Sequence, residues 1–377
     1  EKSNIMQKSL LLIGHKNALV PKIGSVAEIT VSGESIMIVR NADNTIASYY
    51  NVCPHRAHEM IPPGTRNQLK AKTLVCPNHG WSFRADTGSL VKARFCEDVA
   101  DFCKKDFNLK SVPIKDTLGL LFVNLNTDSD ANANHSDSTT LPNTQADTNI
   151  GDIFGNDLST LLLDKIPGID SPHMKRLAVT EKVVNANWKV LVDNFLECYH
   201  CDIAHKAFVD MVDMDTYTTK LGPHRVLFDS VCNPTNEAYN FKHTDILQNA
   251  FFCWLFPYNV VYSAPGSPNL SILQFIPLTP TTTLRRSERF ALVSEEVEPN
   301  TGKDTDTASA SKSDTESDTV SALDRVNYLN KVLLEEDTLI CESVQRGIQS
   351  KAYKQGRLMV SKGSISDQKW HTEIAVA

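Results

Sequence analysis

The sequence predicts an α+β protein of two domains, a small all-β one followed by a larger α+β one with an antiparallel sheet and helices on one side. Three observations predict it. Short β-branched runs broken by turn residues fill the first third, a polar stretch without large apolar residues follows, and strands and amphipathic helices share the remainder. At 377 residues the chain is long enough to bury two cores.

In the first domain, residues 1–125 with a core from about residue 25, strands are expected at Val26–Val31, Ile36–Arg40, Thr45–Val52, Thr73–Val75 and Leu118–Asn124. Residues 126–157 turn to Asp, Asn, Ser, Thr and Ala and read as a solvated linker, as does an acidic insertion at about 295–321. In the second domain, residues 158–377, a strand is expected at Lys175–Val184. Asn187 can cap a helix whose apolar face comprises Trp188, Leu191, Val192, Phe195 and Tyr199. Strands at Phe251–Leu255, Val260–Ser263, Leu270–Pro277 and Ser287–Val293 precede a long amphipathic helix over Leu323–Gln349.

Composition narrows the function. A net charge of -7 with 41% hydrophobic and 22% charged residues argues against nucleic-acid or anionic-membrane partners. No run of about 18 apolar residues and no basic, cleavable N-terminal stretch occurs, so neither a membrane span nor a secretory signal is expected, and a cytoplasmic location is. Nine cysteines, an odd number, suit reduced thiols better than a disulfide framework.

Two segments carry chemistry. Cys53-Pro54-His55-Arg56 is followed, after the 20 residues Arg56 to Val75, by Cys76-Pro77-Asn78-His79-Gly80-Trp81. Two thiolates and two neutral imidazoles in paired tight loops suit a 2Fe-2S cluster in which histidines on one iron lower the negative charge and raise the potential. Tetrahedral zinc uses the same donors, but the Cys-x-His and Cys-x-x-His pairs, each with Pro after Cys, favour the cluster. His58, just behind the motif, is expected to be a surface or hydrogen-bonding residue. The second segment runs from Asp193 to His205. His200 and His205, five apart, lie roughly 140° apart on a regular helix, so a bulge or helix end must bring them together. Two histidines and one carboxylate on one side of a ferrous ion leave positions for dioxygen and substrate. Cys198 and Cys201 read as buried small residues.

The paired loops resemble those of the Rieske ring-hydroxylating oxygenases, although the segment between them, with Pro62, Pro63 and Gly64, is a few residues longer than usual. Glu197-Cys198-Tyr199-His200 with His205 four residues further resembles that family's mononuclear-iron motif. The resemblance implies a helix-grip-like catalytic sheet, a 2Fe-2S cluster on Cys53, His55, Cys76 and His79, and a mononuclear iron on His200, His205 and Asp337. Asp337, rather than Glu335 or Glu336, is placed by its position before Glu342-Ser343-Val344-Gln345-Arg346-Gly347. It further implies a homotrimer in which Glu197, where most members carry Asp, links His200 to a cluster ligand such as His79 of the neighbouring subunit.

That Glu, with the segments Asp193–His205 and Glu342–Met359, most resembles the carnitine monooxygenase branch, whose members act on quaternary ammonium compounds. The activity so implied is hydroxylation beside a cationic nitrogen followed by C–N cleavage, on carnitine, butyrobetaine or another betaine. An aromatic-ring cis-dihydroxylating dioxygenase is the alternative. A Rieske ferredoxin would not need His200, His205 or Asp337. A quaternary ammonium offers no hydrogen bond and is held by aromatic faces; Phe251, Phe252, Trp254, Phe256, Tyr258 and Tyr262 are candidates. The chain has neither a Gly-x-Gly-x-x-Gly fingerprint nor a plant-type ferredoxin cysteine run. A separate flavin- and 2Fe-2S-containing reductase drawing on NAD(P)H is therefore the expected partner.

Overall fold

The computed structural model describes residues 1–66, 68–69, 72–96, 99–126, 150–237, 246–293 and 314–356, the backbone alone at 68–69 and 314–330. It divides into two compact units, Glu1–Ser159 and Thr160–Ala377. The expected linker residues 127–149, the insertion residues 294–313 and the segment from residue 357, with Met359, lie outside the described residues.

The smaller unit is antiparallel β throughout its sheets. Leu10–His15, Leu120–Asn124 and Ile114–Thr117 form one sheet, and Ile46–Tyr50, Glu34–Arg40, Ser25–Val31 and Gln68–Leu69 form a second. Thr73–Val75, Ser82–Arg84 and Leu90–Lys92 form a third. The two Cys/His loops leave the ends of Ile46–Tyr50 and Thr73–Val75, and Cys53, Cys76 and Trp81 belong to the core between them. Asn51, fully buried, pins the exit of the first loop by accepting from the Met60 and Ile61 amides, each at 3.0 Å, and donating to Ile61 O at 2.8 Å. The lengthened segment is anchored as well: the carboxylate of buried Glu28 accepts from the Gly64 amide at 2.6 Å. The end of the expected linker is not wholly solvated. Ile150–Phe154 is a helix with Ile150 and Phe154 buried, the Phe154 ring 5.9 Å from Phe122, because two apolar residues four apart suffice to dock one helical turn.

The larger unit is built on a seven-stranded antiparallel sheet. Its order is Met174–Val184, Thr282–Leu292, Asn269–Thr279, Asn259–Ser263, Asn249–Leu255, Arg225–Val231, Thr218–Gly222. The last four form, with Asn269–Thr279 and Thr282–Leu292, a continuous meander, and the first strand closes on the last in sequence. Asn187 caps Trp188–Phe195 as expected, its side chain accepting from the Lys189 amide at 2.9 Å. That helix lies on one sheet face, with Trp188 6.4 Å from Tyr258 and Phe195 close to Phe228, Phe252 and Phe275. On the same face lies the helix Asp314–Ile348, held where buried Arg285 donates to Thr338 Oγ1 at 2.5 Å and pairs with Glu335 at 2.9 Å. The helix begins at Asp314, so the last eight residues of the expected insertion are helical. No helix among the described residues is long and apolar enough to cross a membrane.

Candidate metal centres

The two Cys/His loops of the smaller unit share one backbone design. Cys53 N donates to His58 O at 2.8 Å and Cys53 O accepts from Ala57 N at 3.0 Å; Cys76 N donates to Trp81 O at 2.8 Å and Cys76 O accepts from Gly80 N at 3.0 Å. The fourth residue after each cysteine, Ala57 or Gly80, has positive φ, 56° and 71°. The loops bring the four predicted residues together. Cys53 and Cys76 are buried in one core, and the His55 and His79 rings meet at 4.7 Å. His55 is half-buried and stacked on Trp81 at 4.5 Å and 9°, while His79 is exposed. His58 is exposed and bonded to Glu59 O at 2.7 Å.

These donors fit a two-iron cluster better than one ion. A single tetrahedral zinc would draw all four donor atoms within about 4 Å of one another. Among the described residues, the donors that gather so closely, within 4.8 Å, are those of the other site. Burial pushes the Cys53 thiol up to about 11, with the Cys76 thiol adding to the shift, so a metal must drive off that proton. Burial, with His79 and Arg56, lowers the His55 pKa and favours the neutral ring a ligand requires.

In the larger unit, the helix Trp188–Phe195 ends at Leu196. His200 then caps a single turn, Cys201–Ala204, and His205 closes it and opens Lys206–Met211. Bracketing one turn supplies the break that five-residue spacing requires, and the ring centroids come to 4.9 Å. His200, His205 and Asp337 place one donor atom each within 4.8 Å of one another. His205 Nε2 is 3.0 Å from Asp337 Oδ1 and 3.1 Å from His200 Nε2; His200 Nε2 is 3.7 Å from Asp337 Oδ1. Each ring turns its other nitrogen to an acid, His200 Nδ1 to Glu197 and His205 Nδ1 to Glu336 at 2.8 Å. Asn194 Nδ2 donates to Asp337 Oδ1 at 2.7 Å. Carboxylates behind histidines that leave Nε2 free are the usual support of a metal-binding imidazole. The three neighbouring acids are thus separated by partner, since Glu335 pairs with Lys182 and Arg285 instead.

The electrostatics match. Burial opposes charge on His200, yet Asp337 and Glu197 outweigh it and raise its pKa to about 9. Asp337, which burial alone would raise, is held below the usual carboxylate range by His200 and His205. Without metal, proton and carboxylate therefore share the place a cation would take.

Beside this cluster opens a cleft of about 430 Å³, part of it open solvent, walled by Phe195, Phe208, Tyr217, Phe228 and Phe252. Of the aromatic residues expected there, Phe252 lines it. Phe251 sits on the opposite face by strand alternation, and Trp254 and Tyr258 are buried in the core. Tyr199, expected on the helix's apolar face, lies beyond the helix end and is exposed. Cys201 is buried as expected and Cys198 half-buried, but the two are not the free thiols expected. They form a disulfide at the cleft wall, their Cα atoms 5.0 Å apart across the broken helix.

The comparisons with known proteins agree with this geometry. Residues 11–103 match the Rieske 2Fe-2S domain and residues 169–373 the ring hydroxylating alpha subunit catalytic domain. The carnitine monooxygenase oxygenase subunit of Escherichia coli (strain K12) is 30% identical, over 97% of this chain and 85% of its own. Among solved structures, a quaternary ammonium Rieske monooxygenase superposes with TM-score 0.75 at 26% identity, covering 100% of this chain and 90% of that one. CntA, a quaternary ammonium Rieske monooxygenase in complex with L-carnitine, gives TM-score 0.71 at 26% identity over 99% of this chain and 90% of its own. The chain belongs to the Rieske ring-hydroxylating oxygenases as an alpha subunit, an oxidoreductase whose two domains serve a 2Fe-2S cluster and a mononuclear iron.

Proposed function

We propose that this protein is the oxygenase component of a quaternary-ammonium monooxygenase that hydroxylates a carbon next to the cationic nitrogen and so cleaves the C–N bond. The observation that carries this reading is the five-ring wall directly beside His200, His205 and Asp337, since aromatic faces hold a cation that cannot accept or donate a hydrogen bond. The carnitine monooxygenase relatives, and the L-carnitine and γ-butyrobetaine complexes of CntA, support the same substrate class.

In this reading Cys53, His55, Cys76 and His79 hold the cluster in a domain spanning residues 1–125. His200, His205 and Asp337 hold the iron in the domain from residue 158 onward. The iron, when bound, supplies activation of dioxygen. The chain does the rest. Glu197 and Glu336 fix the ring tautomers, Asn194 holds one oxygen of Asp337, and the aromatic wall presents the N-bound carbon while keeping water away. One oxygen atom enters the C–H bond and the other leaves as water, consuming two electrons from a reductase and two protons from solvent. The resulting carbinol collapses: its O–H proton leaves, a C=O bond forms, and the C–N bond breaks with its electron pair going to the departing amine.

Exposed His79 suits electron transfer across a subunit boundary, with Glu197 as the link to His200 in a homotrimer. A flavin- and 2Fe-2S-containing NAD(P)H reductase as partner and a cytoplasmic location complete the proposal. The test is oxygen consumption by the loaded protein with a reductase, scoring trimethylamine against formaldehyde. Amine release from carnitine or butyrobetaine is expected; turnover of naphthalene-like rings with betaines ignored overturns the reading.

A further inference from the structure

The helix-bearing face of the seven-stranded sheet carries a cross-strand row of side chains. Phe228 stands opposite Phe252, Phe252 opposite Tyr262, Tyr262 opposite Ser271, and Ser271 opposite Arg289. Directly opposed residues of antiparallel strands project to the same face, so the row is continuous. It begins at the cleft, which Phe228 and Phe252 line, and continues through Tyr262, whose ring stacks on Phe252 at 5.2 Å and 23°.

It ends on an unusual pair. Ser271 is fully buried and Arg289 is 7% exposed, and neither Ser271 Oγ nor Arg289 Nε has a hydrogen-bond partner among the described residues. The other two arginines of that strand are differently provided, Arg285 with Glu335, and Arg286 with Glu181 and Glu288. Burial holds the Arg289 guanidinium below its ordinary range, and among the described residues the ionisable neighbour that acts on it is Tyr262, not a carboxylate. A buried guanidinium without an acid is a vacancy for one. From the strand of Phe252 to that of Arg289 is three inter-strand steps, about 14 Å. The row thus leads from the cleft wall, across three strands, to the buried guanidinium.

We propose that Arg289, Ser271 and Tyr262 form an anion subsite that takes the carboxylate of a zwitterionic substrate while the aromatic wall holds its quaternary ammonium end. The proposal rests on the quaternary-ammonium reading above and sharpens it. The enzyme then selects betaines over cations such as choline, because an alcohol leaves the guanidinium unpaired and desolvated.

The test compares L-carnitine, γ-butyrobetaine and choline on the iron- and cluster-loaded enzyme with a reductase, and measures L-carnitine binding separately by calorimetry. Wild type prefers the two carboxylates by about 100-fold or more in kcat/KM. In Arg289→Gln the carnitine-to-choline ratio collapses, chiefly through KM, calorimetric affinity falls in parallel, and Arg289→Lys restores part of both. Cluster spectrum and iron content check folding. Should the arginine variants fail to fold, Ser271→Ala carries the test with about a tenfold rise in KM for L-carnitine alone. L-carnitine binding unchanged in Arg289→Gln, or equal losses with carnitine and choline, overturns the subsite. If wild type turns over none of the three compounds, the underlying function fails, a result distinguishable from either.

Discussion

Glu336 accepts a hydrogen bond from Nδ1 of His205 at 2.8 Å, and this leaves Nε2 of the same ring facing Asp337 at 3.0 Å. Adjacent acids on one helix thus divide their work, one fixing a ring and the other completing the donor set. Supports of this kind typically contribute about 10–100-fold in metal affinity. Glu336→Ala should weaken iron binding by that order while the cluster's visible spectrum persists; titration of metal-free protein with ferrous ion measures it, and unchanged affinity would remove Glu336 from the account.

Glu197 supports the other ring through His200 Nδ1. Gln keeps an acceptor and removes the charge. Glu197→Gln should therefore keep both metals yet slow electron arrival at the mononuclear site by about tenfold or more. Stopped-flow reoxidation of the reduced cluster reports it, and wild-type rates in the variant would count against the link.

Iron loading should depend on pH in a direction that the acids dictate. In the metal-free site His200 has its pKa raised to about 9, so at neutral pH iron must displace a proton. Apparent affinity should climb between pH 7 and about 9, near tenfold per unit, and level off above it. The sign is opposite for the stability of metal-free protein. A raised histidine pKa contributes stability that is complete below the unfolded value of about 6.5 and lost as pH rises through about 9. Loading curves independent of pH would show that the site does not carry that proton.

The matched loops differ at one position. Gly80 occupies φ 71° at no cost, whereas Ala57 sits at φ 56° with a side chain, a conformation costing roughly 1–2 kcal/mol for an L-residue. Gly80→Ala should destabilise the smaller unit by about that much. Ala57→Gly should stabilise it by up to about 1 kcal/mol, because relief of strain exceeds the added unfolded-state entropy. Denaturant unfolding of cluster-loaded protein compares the two.

The fold was readable where one local rule sufficed. The Asn187 cap, the alternating strands and the long amphipathic helix follow from neighbouring residues alone, and so does the helix break demanded by His200 and His205 five apart. What escaped depended on register and distance. Arg225–Val231 was not recognised as a strand, and Phe228 was therefore missed, although its pairing with Phe252 places it on the cleft wall. Tyr217 and Phe208 enter that wall from a loop and a short helix whose paths are set by tertiary packing. The Cys198–Cys201 bond escaped because spacing alone does not distinguish two buried thiols from a disulfide, whereas the Cα separation does. The role of Glu336 required knowing which way its helix turns toward His205, which an acidic run does not reveal.

The central claim is two chemically different iron sites in one chain, and metal analysis with spectroscopy tests it most directly. Reconstituted protein should hold about three iron ions and two acid-labile sulfides per chain, with a Rieske signal from the cluster. His200→Ala or Asp337→Ala should lower the iron to about two and leave that signal in place. Zinc in the cysteine and histidine loops, or a full iron count surviving both substitutions, would contradict it.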